Sequence, residues 1–352
     1  MIRLYLSRLL LGRLLGALIG LAAMLQLLEL FEKAGTIFAH GGFLDILHFI
    51  GLRLPAILSE SLPLAVLIGA LLAFRGLAAG LEVTTLRAAG MSIAQMVMAL
   101  MPLCLLLTLV QFGLQNEVAP RADRAFEDWW ARTIPPAADA PVPPPLWLRA
   151  GGDVAAVNRV SLDGRQVEGV TLIERSAKGD VTAEITAPSA EVGARGWVLA
   201  QPRIAQAGNG KVREEASLTW PAGPSPANMV ALVRPTDSQT LEKLIGTLKG
   251  RWVGIQGPSY YRTALYEAFA VLFAPVIMLL LAAPVLLAPP RSEGNGMATA
   301  TGLVLGLGYL VCAGLLNAFG ESGAVPPWLA GWLVPVFSLA YAILRLMQSD
   351  DA

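Results

Sequence analysis

The chain has 352 residues, 55% of them hydrophobic and 15% charged. Soluble domains average about 45–50% apolar and about 25% charged residues, so this balance points to a membrane protein. Lys+Arg and Asp+Glu both number 26, leaving no basic excess with which to hold nucleic acid.

A bilayer span needs about 20 mainly apolar residues. Spans are predicted at Leu9–Leu30, Pro55–Ala78, Ile93–Leu114, Leu265–Leu287, Ala298–Phe319 and Trp328–Met347. Arg3, Arg8 and Arg13 lie before or at the start of the first run, as in a secretory signal. That run is too long for a signal core and ends at Glu29, Phe31 and Glu32 without an A-x-A site, so it is expected to be retained. Phe31–Leu54 reads as a connection carrying Glu32, Lys33, Asp45 and Arg53. His40 and His48 also lie there, and on one helix they would fall within about 80° of each other. They have no H-E-x-x-H context and read as solvated or interfacial. Glu60, early in the second span, either sits in an interfacial turn or faces other helices. Its cost at a helix centre would be about 3 kcal/mol. Cys104 and Cys312 lie in apolar runs without disulfide or zinc spacing and read as small core residues.

The segment 80–91, Gly80-Leu81-Glu82-Val83-Thr84-Thr85-Leu86-Arg87-Ala88-Ala89-Gly90-Met91, joins the second and third spans. It is helix-compatible, and Gly90 suits the position just past a helix end. Glu82 has no Lys or Arg three or four positions away. Arg87, five away, lies about 140° around a helix, so the two should not pair. Glu82 therefore either offers a carboxylate to a cationic partner or belongs to a solvated connector.

After the third span the composition changes. Pro135, Pro136, Pro141, Pro143, Pro144 and Pro145 make a stiff extended segment. Val181, Ala183, Ile185 and Ala187 alternate with polar residues, and Lys211–Trp220 alternates likewise with Val212, Ala216, Leu218 and Trp220 on one face. Turns are predicted at Asp163-Gly164, Lys178-Gly179-Asp180 and Gly208-Asn209-Gly210. Short strands so separated imply a sandwich or jelly-roll-like pair of sheets. A cap at Asp237 or Ser238 opens a short helix with Leu241, Leu244, Ile245 and Leu248 on one face. The chain thus divides into residues 1–119 with spans one to three, residues 120–259 with the β-rich domain and its short helix, and residues 260–352 with spans four to six.

Arg3, Arg8, Arg13, Arg75, Arg87, Arg291 and Arg345 all fall on one side if the spans alternate. The positive-inside tendency then makes both termini cytoplasmic and the β-rich domain extracytoplasmic. Enzyme signals are weak. Gly208-Asn209-Gly210-Lys211 lacks the spacing of a phosphate loop and reads as a hairpin turn, and no G-x-S-x-G occurs.

The stretch Glu82-Val83-Thr84-Thr85-Leu86-Arg87-Ala88-Ala89-Gly90-Met91-Ser92 resembles the E-x-x-x-L-R-A-A-G-x-S segment of the lipopolysaccharide-export permeases, the LptF/LptG family. The order of three spans, a large domain, a short helix and three spans extends the resemblance along nearly the whole chain. Glu32-Lys33-Ala34-Gly35 and Gly323-Ala324-Val325-Pro326-Pro327 are more similar to the LptG side of the family. The resemblance implies an α-helical membrane protein with six spans and a periplasmic jelly-roll-like domain, set in the bacterial inner membrane. It implies one permease half of an ABC transporter for lipopolysaccharide, paired with an LptF-like sister. It further implies an LptB-like cytoplasmic ATPase dimer, a single-span LptC-like protein and an LptA-like periplasmic bridge as partners. ATP hydrolysis would belong to the ATPase, and the chain itself would need no cofactor. Glu82, Leu86, Arg87, Ala88 and Gly90 would couple to the ATPase, and Lys33 and Asn317 would line the substrate cavity. Lys33 would attract lipid phosphates or snorkel as an anchor of the helix end. Gly302 and Gly306 have G-x-x-x-G spacing, which suits a movable seam and plain helix packing equally.

Two rivals differ in class. A membrane scaffold or sensor would carry a cytoplasmic output domain, and Gln348–Ala352 after the last span is not one. A lipoprotein or macrolide exporter would have about four spans with its large domain after the first.

Overall fold

The computed structural model describes residues 2–134, 145–150, 153–161, 163–176, 180–207, 212–221, 223–233, 240–249, 256–287 and 294–350. These form two compact units, one of long helices and one built on a β-sheet.

In the helical unit α1 runs Ile2–His40, α2 Phe43–Ala79, α3 Glu82–Ala88 and α4 Ile93–Gly113. One π-helical turn, Leu114–Val118, leads into α5, Ala119–Thr133. After the sheet unit come α8, Pro258–Ala270, α9, Ala274–Ala282, α10, Gly294–Glu321, and α11, Pro327–Asp350. Six helical stretches are long and apolar enough to cross a membrane: Ile2–His40, Phe43–Ala79, Ile93–Thr133, Pro258–Leu286, Gly296–Glu321 and Pro327–Gln348. The predicted spans are all present, and each helix extends beyond its apolar run.

The largest extension corrects the connection expected at Phe31–Leu54. Helix continues through it, broken at Gly41-Gly42, where the Gly42 amide donates to Asp45 Oδ2 at 2.8 Å. Ile37, Ile46 and Phe49 are buried in a cluster with Phe126, Trp129 and Trp130 of α5, which rewards the extra turns. His40 and His48 consequently stand on different helices. His40 Nδ1 lies 3.1 Å from Thr36 O, and the His48 ring tilts against Trp129 at 5.3 Å.

The second span is the centre of the helical unit. Its most apolar stretch is 72% buried, against 17% for the first and fifth spans. Leu14 of α1 lies so near Gly69 of α2 that a Cβ there would stand 2.6 Å from the Leu14 Cα. Gly302 and Gly306 of α10 face Leu71 and Leu67 of α2, so the G-x-x-x-G spacing seats two helices of this chain together. Cys104 is buried as expected, but Cys312 is exposed because it lies on the open face of α10.

A charged cluster ties three helices at one end of this unit. Arg53 of α2 forks onto Glu29 of α1, with Nη2 donating to Oε1 at 2.8 Å and Nε to Oε2 at 2.9 Å. Its Nη1 donates to buried Asp123 of α5 at 3.2 Å. The guanidinium also lies over the Phe126 ring, 5.5 Å from its centre. Glu60 is exposed on α2, in continuous helix rather than a turn, and its charge acts on Arg53.

The sheet unit holds β1 (Leu146–Ala150), β2 (Asp153–Val160), β3 (Gln166–Arg175), β4 (Val181–Gly193), β5 (Gly196–Ala200), β6 (Arg203–Gln206), β7 (Val212–Glu214) and β8 (Ser217–Trp220). All described pairings are antiparallel, in the order β1-β2-β3-β4-β5-β8, and the sheet does not close. The long β4 also pairs with β6 along its first half, and β6 pairs with β7. Ala183, Ile185 and Ala187 point into the core, as their alternation predicted, while Val181 is exposed. The expected single strand at 211–220 is two: β7 and β8 pair with different neighbours, β6 and β5. Trp197 and Trp220 anchor the core, and the Trp197 indole N–H donates to Pro224 O at 2.7 Å.

The Asp163-Gly164 turn forms, with Gly164 at φ +69°. The Ser161 hydroxyl and the Arg165 amide donate to Asp163 and hold its carboxyl below the usual range. The predicted turns at 178–179 and 208–210, most of the Pro-rich segment and the Asp237/Ser238 cap lie outside the described residues. The short helix after them is α7, Leu241–Leu248, with Leu244 buried. A further helix, α6 (Pro226–Val233), was not predicted, because its eight residues are too few to show a period; it inserts Met229 into the sheet core.

Candidate functional site

The segment that joins the second and third spans folds as α3, two turns held between two unusual backbone positions. Leu81, just before it, has φ 59°. Gly90, just after it, has φ +87°. The Gly90 amide donates to Arg87 O at 2.9 Å, and the Met91 amide reaches back to Leu86 O at 3.0 Å. This is the Schellman closure, which needs a left-handed residue at the position Gly90 occupies. The next helix then starts with a reciprocal cap. The Gln95 amide donates to Ser92 Oγ at 3.2 Å, and the Ser92 amide to Gln95 Oε1 at 3.1 Å. The chain therefore leaves α2, makes two turns and enters α4 with defined geometry at both joints.

Val83 is the buried anchor of α3 and joins the core of the helical unit. Leu86 is half-buried and packs against that core. Arg87, Ala88 and Gly90 are exposed. Among the described residues no ion pair to Glu82 forms, and Arg87 does not reach it. Glu82 is nevertheless not without a partner, as the Tyr5 hydroxyl of α1 donates to its Oε2 at 2.8 Å. No local pattern shows this contact, which spans 77 positions of sequence. Ile2, Tyr5, Glu82, Thr85 and Leu86 line a pocket of about 340 Å³. Helical spacing puts Glu82 and Leu86 on one face, and the tertiary fold adds the first turns of α1 as its second wall.

The two residues expected at a substrate cavity are on α1 and α10, and neither is on α3. Lys33 is half-buried on α1, its side chain 42% exposed, with its Nζ 3.1 Å from Glu32 Oε1. An exposed pair of this kind contributes little and leaves the ammonium open to other anions. Asn317 is half-buried on α10. Its Oδ1 finds no hydrogen-bond partner among the described residues. Among the described residues no group of His, Cys, Asp and Glu side chains is arranged to hold a metal ion.

The chain is similar over 94% of its length to the lipopolysaccharide export system permease protein LptG of Escherichia coli strain K12. The identity is 22%, and 92% of that protein is covered. The LptG of Escherichia coli O6:H1 matches to the same degree. The family model described as lipopolysaccharide export system permease LptF/LptG matches residues 4–348. With six helices able to span a membrane, a separate antiparallel sheet and a match running from end to end, the chain belongs to the LptF/LptG family of lipopolysaccharide export permeases.

Proposed function

We propose that the chain is the LptG-type half of an ABC-transporter membrane domain that extracts lipopolysaccharide from the outer leaflet of the bacterial inner membrane. An LptF-like sister supplies the other half. An LptB-like ATPase dimer docks on α3 and its counterpart and performs the hydrolysis. A single-span LptC-like protein and an LptA-like periplasmic bridge receive the lipid from the cavity between the permeases. The observation that carries this reading is α3 itself: a defined two-turn helix between two spans, offering a carboxylate with no ion pair beside an apolar pocket. Purification in mild detergent tests it. The ATPase, the sister permease and lipopolysaccharide are expected to accompany the tagged chain, and recovery without any ATPase would sink the reading.

The same reading places both termini and α3 in the cytoplasm, and the sheet unit in the periplasm, in keeping with the arginine distribution. In a background where Cys104 and Cys312 are replaced, cysteines at Ser7 and Ser349 should react only with cytoplasmic reagents. A cysteine at Ser176 should react only from outside. Periplasmic labelling at Ser349 would contradict six spans.

Lys33, near the outer end of the first span in this orientation, meets lipid phosphates. Reversing its charge puts two adjacent glutamates, at 32 and 33, where the phosphates arrive. Lys33→Glu should reduce lipid cross-linking near residue 33 roughly tenfold, the weight of one charged hydrogen bond. Lys33→Arg should retain it. Unchanged cross-linking in the Glu variant would make Lys33 an anchor of the helix end and nothing more.

A further inference from the structure

The pocket beside Glu82 is built by two helices. Ile2 and Tyr5 come from α1, and Glu82, Thr85 and Leu86 from α3. The α1 wall is fixed, because Leu6, Leu10 and Leu14 are buried in the core of the helical unit. The α3 wall is fixed by Val83 in the same core. The cavity is apolar over most of its lining, with one carboxylate, and Tyr5 holds one oxygen of that carboxylate. Oε1 remains to accept from a cation.

We propose that the ATPase grips α1 and α3 together: an apolar side chain enters this pocket beside a cationic side chain that meets Glu82, and Tyr5 positions the carboxylate for that cation. The proposal rests on the reading of α3 as the ATPase dock and extends it to the first helix. Its basis is complementarity. A seven-residue helix alone presents a narrow convex surface, whereas the α1–α3 cleft is concave and can seat an anchor, which is where interface energy concentrates. A free glutamate must also surrender its side-chain torsions when it binds. The Tyr5 hydroxyl restricts them before the partner arrives, so the pocket and its charge are preorganised. Tyr5 is thus a positioning residue, acting through Glu82.

The test is titration of the purified ATPase onto the permease complex in nanodiscs. Thr85 is exposed, and its hydroxyl donates to Leu81 O at 3.0 Å. Thr85→Trp fills the pocket while Glu82 and Tyr5 both remain, and should weaken ATPase binding at least tenfold, while Thr85→Ser should bind as the unchanged protein does. Tyr5→Phe should weaken binding about fivefold, the weight of one hydrogen bond. Combined with Glu82→Gln, it should add less than twofold, since Tyr5 acts only through that carboxylate. Unchanged affinity in Thr85→Trp, a loss shared by Thr85→Ser, or independent multiplication of the Tyr5 and Glu82 effects would each overturn the proposal. Glu82→Lys separates the two levels. If it also binds the ATPase normally, the docking role of α3 fails. If it loses the ATPase while Thr85→Trp and Tyr5→Phe do not, only the contribution of α1 fails.

Discussion

Glu82→Lys is expected to abolish recovery of the ATPase with the tagged permease and to stop lipid export, while the permease remains inserted and folded. Truncating one side of a desolvated interface pair costs about 2–5 kcal/mol, or roughly 30- to 5000-fold in affinity. Glu82→Ala should fall in that range. Glu82→Lys should be worse, because it sets like charges against each other. Neither change disturbs the bundle: Glu82 is not in its core, and Val83 and the Gly90 closure keep α3 in place. A reciprocal exchange of the ATPase's pairing cation for glutamate should partly restore the Lys variant. Normal ATPase recovery and normal export with Glu82→Lys would reduce α3 to a solvated connector.

Arg53→Ala should have the largest effect on stability. The guanidinium is shared by Glu29 and Asp123, whose side chains are 32% and 7% exposed, so α1, α2 and α5 all lose a partner at once. Removing one member of a buried charged group costs about 3–5 kcal/mol. The low end, about 3 kcal/mol, applies because Arg53 is itself 24% exposed. The measurement is thermal unfolding in detergent, together with protease access to α5. The combination Arg53→Met, Glu29→Gln and Asp123→Asn removes the charges together and should recover most of the loss. An Arg53→Ala protein that melts like the unchanged one would show that the aromatic cluster of Phe49, Phe126, Trp129 and Trp130 holds this end unaided. Arg53 thus changes stability, and Glu82 changes association.

Six spans, an antiparallel sheet and the short helix at 80–91 were determined by the sequence itself. Apolar length suffices to mark a span in a solvent that cannot hydrogen-bond the backbone. Period two suffices to mark strands such as β4, and Gly90 marks a helix end because few other residues adopt its φ. Helix length was decided elsewhere. Nothing local in Phe31–Leu54 demands helix, and it becomes helical because Ile37 and Phe49 bury against Phe126 and Trp130 across helix boundaries. The division of 211–220 into β7 and β8 likewise follows from which strand each half pairs with, and that is settled by neighbours distant in the chain. At the site, spacing placed Glu82 and Leu86 on one face and kept Arg87 away. It carried no trace of Tyr5, because a hydrogen bond across 77 residues exists only after α1 has packed against α2 and brought its first turns beside α3.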